Sequence, residues 1–335
     1  MHCYNASGKR RADELTTEEA LVVVDNLKKA GVAAINFGGG ECCLRPDFIE
    51  ICSYVKKQGM KISYTTNGTT FEYIQNHLAL FDDIGVSIDF ADAEVHDAFR
   101  GVKGTFTTAV STIKELVRQG VDTEVVTCLT TLNCSESHLQ KILALCTSLK
   151  VNYWRLNRFR AHGRGLENKQ LALSKKELKN SFAFLAEHLH ADVSVPEPLF
   201  RALYGGRYLI QGDPSGHSAF RIQVNGDVTP SVFLDIFGGN IKEQSIEEIF
   251  ESPIFRSIRN RKPCGKCKKC PSYYHCRGGD AGASYLAYGH FNGPDPLCWL
   301  SPSMKRKEPV QYTPERWNVH EMYLCTLYVS IQGEL

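Results

Sequence analysis

No apolar stretch in this chain approaches the length of a membrane span, so no membrane partner is expected. Charge of one sign is not in excess: 39 Lys and Arg stand against 37 Asp and Glu, a net of +2, which gives no general electrostatic case for nucleic acid. No secretory signal opens the chain and its thirteen cysteines are odd in number, so a disulfide framework is not expected. The expected localisation is a reducing cytoplasm. No internal repeat is visible beyond an alternation of helix and strand signals. What remains is an ordinary globular composition over 335 residues, 43% hydrophobic and 23% charged, enough for one large domain and a smaller one.

Four cysteines near the C-terminus carry the most information. Cys267 and Cys270 form a C-x2-C pair, Cys276 follows after five residues and Cys298 after twenty-one more. Four thiolates arriving from a knuckle and a distant return point suit a metal or an iron–sulfur cluster. On spacing alone a structural zinc ribbon and an iron–sulfur site stay equally open. Cys264 is a possible spare, and the basic run Arg259–Lys269 reads as a solvated face, with attraction of an acidic partner or peptide as the alternative.

The first two hundred residues alternate helix and strand. Helices are expected over Thr16–Ala30, Pro46–Gln58, Phe71–Leu80, Thr105–Gln119, Glu136–Leu149 and Lys175–His190. Strands are expected over Val32–Phe37, Lys61–Thr66, Ile84–Phe90, Thr123–Thr130 and Tyr153–Phe159. A repeated βα pattern implies parallel strands with right-handed crossovers, and ligands bind beyond the carboxyl ends of such strands. The polar and glycine motifs fall at those ends: Gly39-Gly40-Glu41, Asn67-Gly68, and Ser87 with Asp89. The style changes near Gly205. Phe220–Val224 and Asp227–Leu234 flank Asn225-Gly226, a hairpin signal, and one helical stretch is expected over Ser245–Arg259.

In its order of motifs the chain resembles a radical S-adenosylmethionine (SAM) enzyme with a C-terminal SPASM-type auxiliary-cluster domain. The resemblance covers about residues 1 to 300 and rests on His2-Cys3, Gly39-Gly40-Glu41, Asn67, the Ser87–Asp89 strand and the distal cysteines. It implies an α/β fold, a partial (β/α)6 TIM-like barrel over 1–205 with a smaller cysteine-rich β-hairpin/α domain over 206–302 and a tail over 303–335. It implies SAM and a catalytic [4Fe–4S] cluster held by a C-x3-C-x2-C loop. Cys3 matches the last cysteine of that loop. The first two, and the first barrel strand, fall ahead of Met1, so the ligand set is incomplete here. A start placed too late in the frame is the expectation, a degenerate non-catalytic scaffold the alternative. The SAM-binding residues implied are Gly39, Gly40, Glu41, Asn67, Ser87 and Asp89; for Asn67, Ser87 and Asp89 the competing reading is turn bonding and strand-end capping. Arg100 is expected to pair with Asp97, with the SAM carboxylate as the alternative. Arg155 is assigned equally to the SAM side or to a structural ion pair. Cys42 and Cys43 read as small buried residues.

Against the SPASM pattern, three ligands of the first auxiliary cluster are replaced. The upstream cysteine is absent from Ile210–Gly216, Ser231 stands at the second position and Asp280 at the third. Cys267, Cys270, Cys276 and Cys298 match the second auxiliary cluster, so one [4Fe–4S] cluster is expected to remain. No conventional catalytic side chain is named. The resemblance implies a 5′-deoxyadenosyl radical, a low-potential electron donor, and a peptide or protein substrate; a tetrapyrrole or other small-molecule precursor is the alternative.

Overall fold

The computed structural model describes residues 2–188, 193–204, 212–303 and 327–328. The tail expected over 303–335 lies outside these, apart from Ser303 and the pair 327–328, and so do residues 205–211, where the domains were expected to divide.

Helix α1 (Thr17–Lys29) begins at a capping box in which Thr16 and Glu19 exchange side-chain and backbone bonds. It buries Ala20, Val23, Val24 and Leu27, a one-sided stripe at helical spacing. The chain continues through β1 (Ala34–Gly38), α2 (Phe48–Lys57), β2 (Lys61–Thr66), β3 (Asp83–Ser87), α3 (Ala93–Arg100), α4 (Thr105–Arg118), β4 (Thr123–Leu129), α5 (Glu136–Leu149), β5 (Tyr153–Arg158), α6 (Lys175–Glu187), β6 (Val193–Ser194) and α7 (Pro198–Tyr204). Strands β1 to β6 lie side by side in sequence order and all pair in parallel. The far edge of β1 pairs in parallel with β10 (Leu327–Tyr328). This is the expected partial barrel.

Alternation along the strands sorts two buried faces. Ile35, Phe37, Ile62, Tyr64, Ile84, Val86, Val125, Trp154 and Leu156 belong to the main apolar core. Asn36, Ser63, Asp83, Glu124 and Arg155 point the other way and are equally buried. Period-two alternation explains the sorting, and buried polar groups on the second face must find partners there.

Beyond α7, β7 (Arg221–Ile222) and β8 (Asp227–Thr229) form the expected antiparallel hairpin around Asn225-Gly226, where Gly226 has φ +92°. A third strand, β9 (Gly239–Asn240), completes the small sheet. Helices α8 (Ile246–Phe250), α9 (Pro253–Arg259), α10 (Tyr273–Cys276) and α11 (Ala281–Tyr288) follow.

Two expected helices are corrected. Ser245–Arg259 is two helices, because Pro253 at the first turn of α9 has no N–H to continue α8. Phe71–Leu80 is two separate 3-10 turns, Phe71–Tyr73 and Leu78–Leu80. Their three-residue length leaves no α-helical turn complete. Among the described residues, no helix is long and apolar enough to cross a membrane.

Candidate functional site

The carboxyl ends of β1 to β5 form the mouth. At β1, Gly39 has φ +127°, a conformation open to glycine, which lets the chain turn sharply there. Glu41 does not face outward. Its carboxylate accepts from the Tyr64 hydroxyl at 2.8 Å, from the Asn67 N–H at 3.1 Å and from the Thr66 hydroxyl. Burial pushes its pKa up, against the pull of these donors. The side chain thus locks the β1 loop to the end of β2. Glu41→Ala should cost about 1–3 kcal/mol in a denaturant melt, since three buried donors lose their acceptor.

Asn67 caps its own loop: its Oδ1 accepts from the Thr69 N–H at 2.8 Å and the Thr69 hydroxyl at 2.6 Å. Ser87 ends β3 half-buried. Asp89, two residues on, is fully buried. It accepts from Arg100 Nε at 2.7 Å and from the Cys128 N–H at 2.8 Å. This corrects the expected Arg100–Asp97 pair. Asp97 instead accepts from the backbone N–H groups of Gly104 and Phe106 at the start of α4, and so is already occupied. Burial raises the pKa of Asp89, but Arg100, His2, the Cys128 N–H and His96 together outweigh it and hold the acid below its ordinary value. A depressed acid stabilises above its unfolded pKa and loses that stability as pH falls through the folded one. Asp89→Asn should therefore flatten the loss of stability below about pH 4, read by chemical denaturation across an acid series.

The opening residues cross this mouth. His2 stacks on Phe99 with centroids 4.5 Å apart, its Nε2 lies 3.9 Å from Asp89, and burial lowers its pKa to about 4. The Cys3 carbonyl accepts from the Arg164 N–H at 3.0 Å. Tyr4 packs edge-on against Phe233, Asn5 accepts from Arg221, and Leu15 donates to the Val224 carbonyl at 2.8 Å. Cys3 is thereby placed between the mouth and the small sheet. One thiol does not make a cubane ligand set. Cys42 and Cys43 add nothing to it. Both are buried, with Cys42 Sγ turned to the Gly38 carbonyl and Cys43 Sγ to the Thr70 hydroxyl.

The polar inner face forms a floor under the mouth. Arg155 Nε lies 2.9 Å from Glu124, both side chains being buried, so Arg155 sits in a structural ion pair. Ser63 bonds to Asp83 beside it. Gly85 makes room: a Cβ there would stand 2.8 Å from Val126 and 3.3 Å from the Arg155 guanidinium.

Cys267, Cys270, Cys276 and Cys298 line one pocket, together with Gly278, Gly279 and Asp295. Cys264 does not line it. Burial and the three neighbouring thiols push Cys267 up to about 12. Burial pushes Cys276 up to about 11, against backbone bonds from Gly278 and Gly279. A metal centre reverses that penalty by binding the thiolate form. Among the described residues no three His, Cys, Asp or Glu side chains are gathered tightly enough for a single ion. Four thiols around one pocket, with backbone N–H groups aimed at a sulfur, fit an iron–sulfur cluster held one cysteine per corner.

Sequence reasoning missed the tie between this pocket and the barrel. Asp295, on the pocket wall, takes Arg158 in a bidentate pair at 2.6 and 3.2 Å. Arg158 also lies 3.1 Å from Glu197. Arg160 pairs with Asp280 and, at 2.9 Å, with Glu197, while its guanidinium lies 4.2 Å from the Phe233 ring centre. The replaced cluster positions meet here. Asp213 accepts from the Ala281 N–H at 2.5 Å, and a Cβ on Gly282 would stand 3.2 Å from Asp280 and 3.3 Å from Ser231. Arg158 at the end of β5 and Arg160 just beyond it were the available signal; nothing near Glu197 or Asp295 marked them as partners.

Comparison with known proteins agrees with this geometry. Residues 1–146 match the radical SAM superfamily, and residues 214–271 match SPASM, an iron–sulfur cluster-binding domain. The second match holds Cys267 and Cys270 but stops short of Cys276 and Cys298. Mycofactocin maturase MftC of Mycobacterium ulcerans is 29% identical over 328 residues, 89% of this chain and 83% of its own. AdoMet-dependent heme synthase of Methanosarcina barkeri is 29% identical over 329 residues, 91% and 93% of the two chains. The structure of Streptococcus suis SuiB bound to S-adenosylmethionine shares the fold, with TM-score 0.69 at 15% identity over 88% of this chain and 72% of that one.

Fold and thiol site together define an iron–sulfur enzyme that uses SAM. The chain carries a radical SAM domain and a SPASM domain. The group's cofactors are SAM and [4Fe–4S] clusters, the latter supplying single electrons at low potential.

Proposed function

We propose that this enzyme uses a 5′-deoxyadenosyl radical to modify a peptide or protein, with one auxiliary [4Fe–4S] cluster held by Cys267, Cys270, Cys276 and Cys298. The observation that carries it is the Arg158–Asp295 pair, which fixes the four-thiol pocket to the carboxyl end of β5. The auxiliary site is thus held against the mouth where substrate meets SAM. The chain's own work is positional. The glycine turn at Gly39-Gly40 brings backbone to the ligand, Glu41 and Asn67 hold the loops that form the rim, and the buried Asp89–Arg100 pair keeps the β3 end in place. The domain division at about 205 follows the change from parallel to antiparallel pairing.

The peptide reading is supported by the mycofactocin maturase relatives and by SuiB, whose structure is known with its precursor peptide SuiA. The heme synthase relative, matched over 93% of its length, supports a tetrapyrrole substrate as the second reading. A low-potential electron donor is part of either. The in-frame codons ahead of Met1 are read first, for two further cysteines at C-x3-C spacing. Protein made with them is then incubated without oxygen with SAM, a one-electron reductant and either precursor peptides from adjacent genes or porphyrin precursors. Formation of 5′-deoxyadenosine with a mass change in a peptide supports the proposal. Turnover of the porphyrin alone removes it.

A further inference from the structure

A second cavity shares a wall with the thiol pocket. It is an open groove of about 520 Å³, with Cys267 and Cys270 on one side. Arg261, Lys268, Arg277, His217, Tyr273 and Tyr274 are among its lining residues.

Its charge is lopsided. Arg261 donates to the carbonyls of Phe291 at 2.7 Å and Gly279 at 3.0 Å, so it is held rigidly with its charge uncancelled. Among the described residues, no carboxylate lies within ion-pair distance of Arg261, Lys268 or Arg277. Arg259, also on the wall, is answered by Glu251 at 2.9 Å. Asp213 is the groove's one lining carboxylate, and its two oxygens are taken by the Ser215 and Ala281 N–H groups. His217 sits in this field: burial lowers its pKa first and Arg277 next, Asp213 pulls the other way, and Arg259 and Arg261 lower it further.

Arg277 is the second, independent observation. Its φ is +47°, in the left-handed region, and Gly278 and Gly279 follow at +90° and +80°. Glycine or asparagine is the economical residue at a helix C-terminus in that conformation. An arginine held there, with its stem 3.0 Å from the position of a Cβ on Gly212, points to a use for the guanidinium. The groove is open to solvent and its uncancelled positive charge is spread over three separate positions, Arg261, Lys268 and Arg277. It suits an extended chain.

We infer that this groove binds a carboxylate-rich segment of the peptide substrate, gripped by Arg277 and Lys268, drawn by the charge of the internally bonded Arg261, and packed on Tyr273 and Tyr274. The inference rests on the peptide reading above and adds the chemistry of the docked segment. Guanidinium and ammonium groups take carboxylates through charge-assisted bonds, and the exposed Tyr274 ring with the half-buried Tyr273 ring supplies sequence-tolerant apolar contact.

The test is fluorescence anisotropy on the anaerobic, iron-loaded protein, with a rhodamine-labelled Glu-rich decapeptide and its Gln counterpart as probes. The Glu peptide should bind, and weaken about tenfold or more as salt is raised through the physiological range. The Gln peptide should not bind. Arg277→Gly should lower affinity about tenfold while iron content is kept and the melting midpoint stays or rises, because glycine relaxes the backbone. Lys268→Glu should do the same without touching backbone, and Lys114→Glu on exposed α4 should do nothing. Equal binding of both peptides, or wild-type affinity in both groove variants, overturns the inference. So does binding by an acidic carrier protein with none by the decapeptide. If a peptide lacking acidic residues is modified at full rate, the groove assignment falls and the proposed function stands. If only porphyrins turn over while the groove variants still lose the Glu peptide, the function falls and the groove stands.

Discussion

Arg158→Ala should destabilise the protein by about 3–5 kcal/mol, as expected when one side of a buried ion network is removed. The guanidinium faces Asp295, Glu197 and Asp280, all buried. Its loss leaves Asp295 without its bidentate partner and Glu197 and Asp280 to share Arg160. The variant should also steepen a pH trend. In the parent protein, burial raises Asp280, but Arg160 and Arg158 outweigh it and hold the acid well below its usual range. Its contribution is therefore present above about pH 4 and falls away as pH drops through the folded value. Glu197 is pushed up, since burial, joined by the neighbouring Asp280 and Asp295 charges, outweighs the two arginines there. It works in the other direction, favouring the fold below the ordinary carboxylate pKa and losing that benefit as pH rises through its own raised value. With Arg158 gone, burial prevails at more of these acids. The variant should then gain stability on going from pH 7.5 to 5.5. Anaerobic denaturant melts at the two pH values read both effects. A variant as stable as the parent, or one with the parent's slope, would show that the network carries no weight.

Cys276→Ser should abolish the auxiliary cluster. About four irons per chain and the associated visible absorption should be lost, because a hydroxyl does not replace a buried thiolate ligand. The same result is expected at Cys267, which lines the pocket with it. Cys264→Ser is the matched control. Cys264 is absent from the pocket wall and supplies its carbonyl to the Cys267 N–H at 3.0 Å, a bond that serine retains. Iron analysis and absorption spectra of anaerobically reconstituted protein separate the outcomes. Iron retained in Cys276→Ser, or zinc with no iron in the parent, would defeat the four-thiolate assignment.

Much of this was legible in the residues. The five β-branched or apolar runs expected as strands all pair in parallel, because each carries the period-two alternation that buries one apolar face. Asn225-Gly226 marked its hairpin, since glycine adopts the required positive φ at no steric cost. Strand β6 went unread. It is two residues long, and its pairing with Trp154 and Arg155 is a tertiary matter. At the site, the four distal cysteines were readable from spacing. The direction of Glu41 was not: a Gly-Gly-Glu sequence fixes where the carboxylate starts, and only the approach of Tyr64 and Thr66 turns it inward. Arg100 chose Asp89 over the nearer Asp97 because Asp97 already caps α4, a competition no spacing rule reveals. Arg158 looked like one more charge in a strand. Its partners come from 39, 122 and 137 residues away, beyond the reach of local pattern.

The Glu124–Arg155 pair beside Gly85 sets buried, paired charge into the amino halves of β4 and β5. On the function proposed above, substrate and SAM would be met at the opposite ends of the strands, where Glu41, Asn67 and Asp89 hold the loops. A folded polypeptide would offer such a site a terminus or a loop and withdraw the way it came. Spent nucleoside left behind would bar the next visitor.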